Sequence, residues 1–387
     1  MKNRSLVFSS SWSPLGIWYN HGLMRESLFN SGWWRDQLAR AASAAVFLAL
    51  SFPSAAPAMQ PEPLAPLPEN IFAAASREAS QLPRLHSLLV SQGGKLVFER
   101  YYNGVRPTHS ANIKSASKSV ISALVGIAMQ RGYLRDANQS ISSFFPQLVG
   151  PQKDTASPRK TEITIGDLLS MRSGLETTSN RNYGRWVRSR NWVGHILSRP
   201  FVTLPGTDMV YSTGNTHLLS AILTKATGKS TWEFAQETLA EPMGFQLPRW
   251  PQDPQGIYFG GNDMLLTPRQ MLAFGELYLR GGQHDARQVI PADWVRASLV
   301  PRVRSRREAD RYYGYGWWIR SMAGYQAPYA WGFGGQFIFL VPELDLVVVS
   351  TSAVTLENDR RTHRFTVMDL IERHIVAPVA SNRFSND

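Results

Sequence analysis

Two stretches of the 387-residue chain place a serine three residues ahead of a lysine: Ser115-Ala116-Ser117-Lys118 and Ser157-Pro158-Arg159-Lys160. A hydroxyl and an amine at that spacing share one face of a helix turn, so the amine can take the hydroxyl proton and leave a nucleophile. Context separates the two copies. Ser157 precedes a proline in a charged stretch, which disfavours helical backbone there, and it reads as a loop. Ser115 opens an apolar helix, with Val120, Ile121, Leu124, Val125, Ile127 and Ala128 on one face. A helix N-terminus offers free N–H groups and a positive dipole end, and both favour an alkoxide or an acyl oxyanion. Lys118 is drawn into the apolar face, where desolvation lowers its pKa and lets it act as a base. The same residues fit an N-cap serine beside a lysine that snorkels to water equally well.

Other chemistries lack their signatures. The chain has no H-E-x-x-H, no paired-histidine spacing, no G-x-S-x-G, no G-x-G-x-x-G and no P-loop. A zinc hydrolase, an α/β-hydrolase and a nucleotide enzyme are thereby disfavoured. The absence of cysteine excludes disulfides, zinc–thiolate sites, iron–sulfur clusters and a cysteine nucleophile. No cofactor and no metal are expected. The net charge of +12 comes from 33 arginines and 8 lysines, scattered apart from one cluster at Arg302, Arg304, Arg306 and Arg307. No nucleic-acid motif accompanies that charge, so no nucleic-acid partner is expected; a basic surface suits association with anionic cell-envelope polymers. With 43% hydrophobic and 11% aromatic residues the chain is not disordered, and it is long enough to stand on its core alone.

The elements that must position these residues follow from pattern. Ala41–Phe52 is an apolar run too short to span a bilayer, preceded by Arg25, Arg35 and Arg40 and followed by Ala56-Pro57-Ala58. It reads as a secretory signal over residues 1–58, with Met24 an alternative start and an uncleaved anchor the alternative fate. Residues 59–84 read as a linker, Pro-rich over Gln60–Asn70. Two apolar runs about Gly93-Gly94 predict a hairpin over His86–Tyr102. Helical periodicity dominates from 115 to about 280, as in Thr216–Ala226 and Thr267–Leu279, while 150–160 reads as loop. Tyr312–Arg320, Gln336–Val341 and Leu344–Ser350 are strand-like, and Phe365–His374 is a closing helix. Strands at both ends with helices between predict an α+β chain. Segments 85–114 and 281–387 would form one antiparallel sheet flanked by helices, and 115–280 an inserted, mostly helical domain.

Longer segments carry a resemblance. They are KSASKSVISALVGIAMQRGYL, ITIGDLLSMRSGLE (Ile163–Glu176), PGTDMVYSTGNTHLLSAILTKATG (Pro205–Gly228), EPMGF (Glu241–Phe245), GGNDMLLTPRQMLAFGELYL (Gly260–Leu279), YGYGWW (Tyr313–Trp318) and AWGFGGQFIFLVPELDLVVV (Ala330–Val349). In order and spacing they resemble the serine β-lactamase-like hydrolases over roughly residues 85–375. That family takes in class C β-lactamases, D,D-peptidases, family VIII carboxylesterases and 6-aminohexanoate-dimer hydrolases. AWGFGGQ resembles the last branch most. The resemblance implies a β-lactamase/transpeptidase-like fold. It implies that Ser115 is the acylated nucleophile, that Lys118 shares or relays its proton, and that Tyr211 acts with the lysine as general base and then as acid to the leaving group.

The chain departs from the family pattern twice. The Asn of the Y-x-N motif falls on Thr213, with Asn215 two residues on. The Lys/His-Thr-Gly motif is replaced by Ala330-Trp331-Gly332. On this alignment the oxyanion hole is the Ser115 N–H with the Phe333 N–H, and Gly334 or Gly335 is the alternative second donor. Thr213, Asn215, Trp331, Gly332 and Gly334 would contact substrate. Losing the Lys/His removes the cation that would hold a β-lactam or peptide carboxylate. Trp331 and Phe333, with Tyr183 or Trp186, favour an apolar acyl pocket, hence small-molecule esters or linear amides. The competing readings are a penicillin-recognising enzyme, either a weak β-lactamase or a D,D-peptidase, and a non-catalytic envelope-binding module. The oligomeric state and the physiological substrate are left open by the sequence.

Overall fold

Gly93 and Gly94 both take positive φ, 58° and 71°. The apolar runs beside them therefore close on a two-residue turn, with β1 (Leu85–Gln92) antiparallel to β2 (Lys95–Tyr101). The computed structural model describes residues 67–148, 159–306, 308, 310–356 and 359–384. The expected signal segment, the start of the linker, Ser157 and Arg307 lie outside the described residues.

Ahead of the hairpin, α1 (Ala73–Ser80) occupies part of the stretch read as a linker, with Ala75 and Ala79 fully buried. Between the hairpin and the later strands come α2 (Ser117–Gln130), the short α3 (Ile165–Leu169), α4 (Tyr183–Val187) and α5 (Trp192–Leu197), then α6 (Thr213–Thr227), α7 (Thr231–Ala235) and α8 (Pro268–Leu279). Two small strand pairs stand outside the main sheet. These are β3 (Ala111–Asn112) with β4 (Leu265–Leu266), and β5 (Gln283–His284) with β6 (Arg287–Gln288). After α9 (Ala292–Ser298) the chain returns to strands: β7 (Val303–Arg304), β8 (Tyr312–Tyr313), β9 (Trp318–Met322), β10 (Tyr325–Gly332), β11 (Gln336–Val341) and β12 (Leu346–Ser352). It ends in α10 (Arg360–Ile371), a π-helical turn and α11 (Ala377–Phe384).

The main sheet has eight strands in the order β2-β1-β12-β11-β10-β9-β8-β7, antiparallel throughout. Its centre is buried on both faces, and the period of two assigns each side chain to one layer. Ile338, Leu340, Val347 and Val349 face the core shared with α2, α6 and α8. Phe337, Phe339, Val341, Leu346 and Val348 face the other, packed by α1, α10 and α11. At about 1.5–3 kcal/mol per fully buried side chain, these two layers are the main stabilising term for a chain without disulfides.

Three sequence expectations change. Tyr312–Arg320 is two strands rather than one, because Gly316 takes φ 80° and breaks the run. β12 starts at Leu346, since Pro342–Leu344 forms a 3₁₀ turn with Asp345 at φ 45°. β10 was not foreseen, because Gly324, Pro328 and Gly332 interrupt its apolar run; it is nonetheless the strand that carries Ala330-Trp331-Gly332.

Candidate active site

Ser115 stands in a 3₁₀ turn, Lys114–Ala116, that runs directly into α2. The residue before it, Lys114, takes φ 50°, a conformation that costs a non-glycine residue about 1–3 kcal/mol. Two bonds hold it there: its N–H donates to Asn112 Oδ1 at 2.9 Å, and its Nζ reaches Asp263 Oδ1 at 2.7 Å. The first amide closed by the turn is Ala116 N, on Ile113 O at 3.1 Å. Ser115 N precedes it, where a helix start leaves donors for other acceptors.

Lys118 is one turn on and only 1% exposed. Its Nζ lies 3.1 Å from Ser115 Oγ, 2.5 Å from Gly261 O and 3.4 Å from Thr213 Oγ1. The structure thus favours a buried amine facing the hydroxyl over a lysine that snorkels to water. Burial pulls Lys118 down to about 7, partly opposed by the Asp263 carboxylate. An amine with that pKa is in good part neutral at pH 7 and can accept a proton.

Tyr211 arrives from the loop ahead of α6. Its ring centroid is 5.3 Å from Lys118 Nζ. The ring stacks on Trp318 at 5.6 Å and meets the edge of Tyr313 at 6.3 Å. Burial pushes its phenol up to about 12, against the lowering influence of the Ser115 hydroxyl and then Arg311. A lowered amine and a raised phenol form a base and an acid whose roles do not compete near neutral pH.

Thr213 opens α6, and its Oγ1 joins Lys118 to Ser179 Oγ at 2.9 Å. Asn215 is differently placed. It is fully buried, its Oδ1 accepts from Ser173 Oγ at 3.0 Å, and Nδ2 has no partner among the described residues. The helix turn that brings Thr213 to Lys118 therefore carries Asn215 into the interior, and it does not line the site surface. Trp186, at 0% exposed, is core; Tyr183 is half-buried and accepts from Asn262 Nδ2 at 3.2 Å.

β10 brings up the other side. A Cβ on Gly332 would lie 2.0 Å from Ile113 O, so this glycine lets the strand end pack against the backbone of the Ser115 turn. Trp331 stands beside it, 5.9 Å from Trp318, with Arg364 at 4.5 Å and Arg311 at 5.7 Å from its ring. In the turn that follows, Gly335 N donates to Gly332 O at 3.4 Å, a contact that distinguishes it from the other two candidate donors, Phe333 and Gly334. Arg311 and Trp318 escaped the sequence reading, as did Gly261, Asp263 and Ser179. A glycine carbonyl has no side-chain signature. Gly260-Gly261-Asn262-Asp263 was legible only as part of a longer segment.

Comparison with known proteins bears on the family and the fold. The Beta-lactamase family model matches residues 84–373. A 6-aminohexanoate-dimer hydrolase of Paenarthrobacter ureafaciens is 25% identical over 303 residues, which is 72% of this chain and 74% of that one. Among solved structures, EstCE1, a hydrolase with promiscuous acyltransferase activity, superposes with a TM-score of 0.64 at 16% identity, over 79% of this chain and 99% of its own. A penicillin-binding protein homologue from Caulobacter crescentus gives 0.62 at 17% identity, over 81% and 99%.

Proposed function

The chain belongs to the Beta-lactamase family and is a serine hydrolase, and from that premise we propose that it cleaves ester or linear amide bonds through an acyl-enzyme on Ser115. The observation that carries this reading is the buried Lys118 amine, 3.1 Å from Ser115 Oγ and with its pKa lowered to about 7.

As the Ser115 oxygen bonds to the substrate carbonyl carbon, its proton passes to the neutral Lys118 amine. The carbonyl oxygen takes the negative charge, against the Ser115 N–H and the N–H of Phe333 or Gly334. Each such donor contributes about 3–4 kcal/mol to the transition state. Collapse of the tetrahedral centre expels the alcohol or amine, which takes a proton from the Tyr211 phenol. Lys118 returns its proton to Tyr211. Water then attacks the acyl-enzyme by the same route and frees Ser115.

Substrate preference follows from what stands where the family motif has a lysine. Ala330 and Trp331 bring no ammonium there. Trp331, Trp318 and Tyr211 form an aromatic wall, which suits an apolar acyl group better than a β-lactam carboxylate. We also propose that residues 1–58 direct export to the periplasm or beyond, on the strength of the Ala41–Phe52 apolar run and its Ala-x-Ala end. The test of the chemistry is p-nitrophenyl butyrate hydrolysis by the wild type and by Ser115→Ala. The variant should stay folded and fall to background, a loss of at least about 10³-fold. Equal turnover in the two proteins overturns the assignment, and fast nitrocefin turnover would move the substrate class to β-lactams.

A further inference from the structure

A second titratable pair lies behind the site, and nothing in the reaction above uses it. His217 is four residues after Thr213 on α6, so the two share a helix face. His217 Nε2 stands 3.0 Å from Asp253 Oδ2, and both side chains are wholly removed from solvent. The pair is sealed by aromatic rings, with Trp192 at 5.3 Å and Trp186 and Phe259 at 5.8 Å from the imidazole.

The two ring nitrogens have different partners. The Asp253 carboxylate at 3.0 Å calls for a proton on Nε2, and the Gly260 N–H, directed at Nδ1 from 3.5 Å, suits a lone pair there. Asp253 is a strong acceptor at this point. Its Oδ1 also takes the N–H groups of Gln255 at 2.8 Å and Ile257 at 2.9 Å. With Asp253 fixing the tautomer, His217 presents an acceptor to Gly260 and no donor.

Gly260 is the neighbour of Gly261, whose carbonyl accepts from Lys118 Nζ at 2.5 Å. Both glycines lie tight against the first turn of α6. A Cβ on Gly260 would be 2.2 Å from Thr216 O, and one on Gly261 would be 2.3 Å from Thr216 Oγ1. Packing sets how closely this turn approaches, and a hydrogen bond adds a preference for which way its peptides face. Two residues further on, Asp263 holds Lys114, the residue before the nucleophile.

We propose that His217 and Asp253 are positioning residues, which anchor the Gly260 N–H and so hold the Gly260–Gly261 segment with the Gly261 carbonyl facing the Lys118 amine. This rests on the serine-hydrolase reading only for its kinetic consequence. The groups facing Lys118 are Asp263 and Tyr211, with Arg311 acting on Tyr211; the titratable group facing His217 is Asp253.

The test measures two quantities that need no turnover. The first is the His217 tautomer in the wild type, read from ring ¹⁵N shifts. An Nε2–H imidazole with Nδ1 accepting is expected, and an Nδ1–H tautomer overturns the proposal whether or not any variant folds. The second is the titration of Lys118 among the eight lysines of the ¹³C-labelled protein, assigned with Lys118→Met. Asp253→Asn turns a donor toward Nε2, drives the proton to Nδ1 and sets it against the Gly260 N–H. The Gly261 carbonyl should then leave the amine. Because that carbonyl favours the ammonium form, Lys118 should titrate about one unit lower. The acid limb of kcat/KM should move with it, and kcat should fall at least about tenfold with KM little changed. His217→Asn keeps an acceptor near Nδ1; it should lower Tm yet leave the Lys118 titration in place. A folded Asp253→Asn protein with Lys118 titrating as in the wild type overturns the proposal. Loss of Ser115-dependent hydrolysis in the wild type would instead remove the functional reading, with tautomer and titration still in force.

Discussion

The residue that shapes this site most is Lys118. It is buried without a carboxylate in direct contact, and its partners are a hydroxyl, a carbonyl and a more distant threonine. In the proposed mechanism that arrangement serves proton transfer at the expense of stability. Below about pH 7 Lys118 is charged in both folded and unfolded chains, and the fold bears the whole burial penalty. As pH rises from 7 toward the ordinary lysine value of 10.5, the folded chain has shed the proton that the unfolded chain still binds, and the penalty declines. Lys118→Met should therefore gain on the wild type by a few kcal/mol at pH 6, and the margin should shrink toward pH 10. Paired urea titrations at the two pH values would measure this, and a margin independent of pH would contradict the buried-amine account. In activity, kcat/KM of the wild type should rise with pH through about 7, since only the neutral amine takes the Ser115 proton.

At the scale of elements, the site is where four separate pieces of chain meet. The 3₁₀ turn brings Ser115, the loop before α6 brings Tyr211, the 260–263 segment brings its carbonyl and carboxylate, and the end of β10 brings the oxyanion side. Close backbone approach holds them more than side-chain bonds do. Gly332 is the sharpest case, because its missing side chain leaves room for Ile113 O, the carbonyl that closes the nucleophile turn on Ala116 N. In Gly332→Ala the strand end and the turn must separate. A displacement approaching 1 Å would cost about 10²-fold in kcat, with only a modest fall in Tm. Steady-state kinetics beside calorimetry would separate that from general unfolding. The role proposed for the His217–Asp253 pair belongs to this scale as well, because Gly260 and Gly261 reach the site through their backbone.

Across the described residues, the first hairpin and the last strand of the main sheet are adjacent. β1 pairs with β12 in the register Leu85↔Ser352 to Gln92↔Leu346, with the helical region between them in sequence. Residues 63–387 form a compact unit of their own. The export proposal is tested at this scale. Expressed in a bacterial host, the chain should be recovered from the periplasm with the mass of residues 59–387 and with the unfolding transition of a directly expressed 59–387 chain. Full-length protein retained in the cytoplasm would refute it.

The sequence by itself was enough for the elements whose signals are local and periodic. The Gly93-Gly94 hairpin, α6, α8 and β11 were all readable from apolar spacing and turn residues. The serine and lysine stood out by their spacing at an apolar helix start, but that spacing fitted an N-cap serine with a snorkelling lysine equally well, and the family resemblance chose between the two. Tyr211 and the glycine-rich turn needed the family resemblance, because a tyrosine in a loop and a glycine in a strand carry no chemistry of their own. Only the tertiary structure decided the rest. It showed that Lys118 is sealed rather than snorkelling, that Asn215 turns inward while Thr213 meets the amine, and that Gly335 spends its N–H within its own turn. It also brought Gly261, Asp263 and the His217–Asp253 pair to the back of the site, from positions more than 100 residues after Ser115. Hydrophobic period is a property of neighbours in sequence. Burial, tautomer and the facing of a peptide carbonyl are properties of neighbours in space, fixed only once the strands and helices have packed.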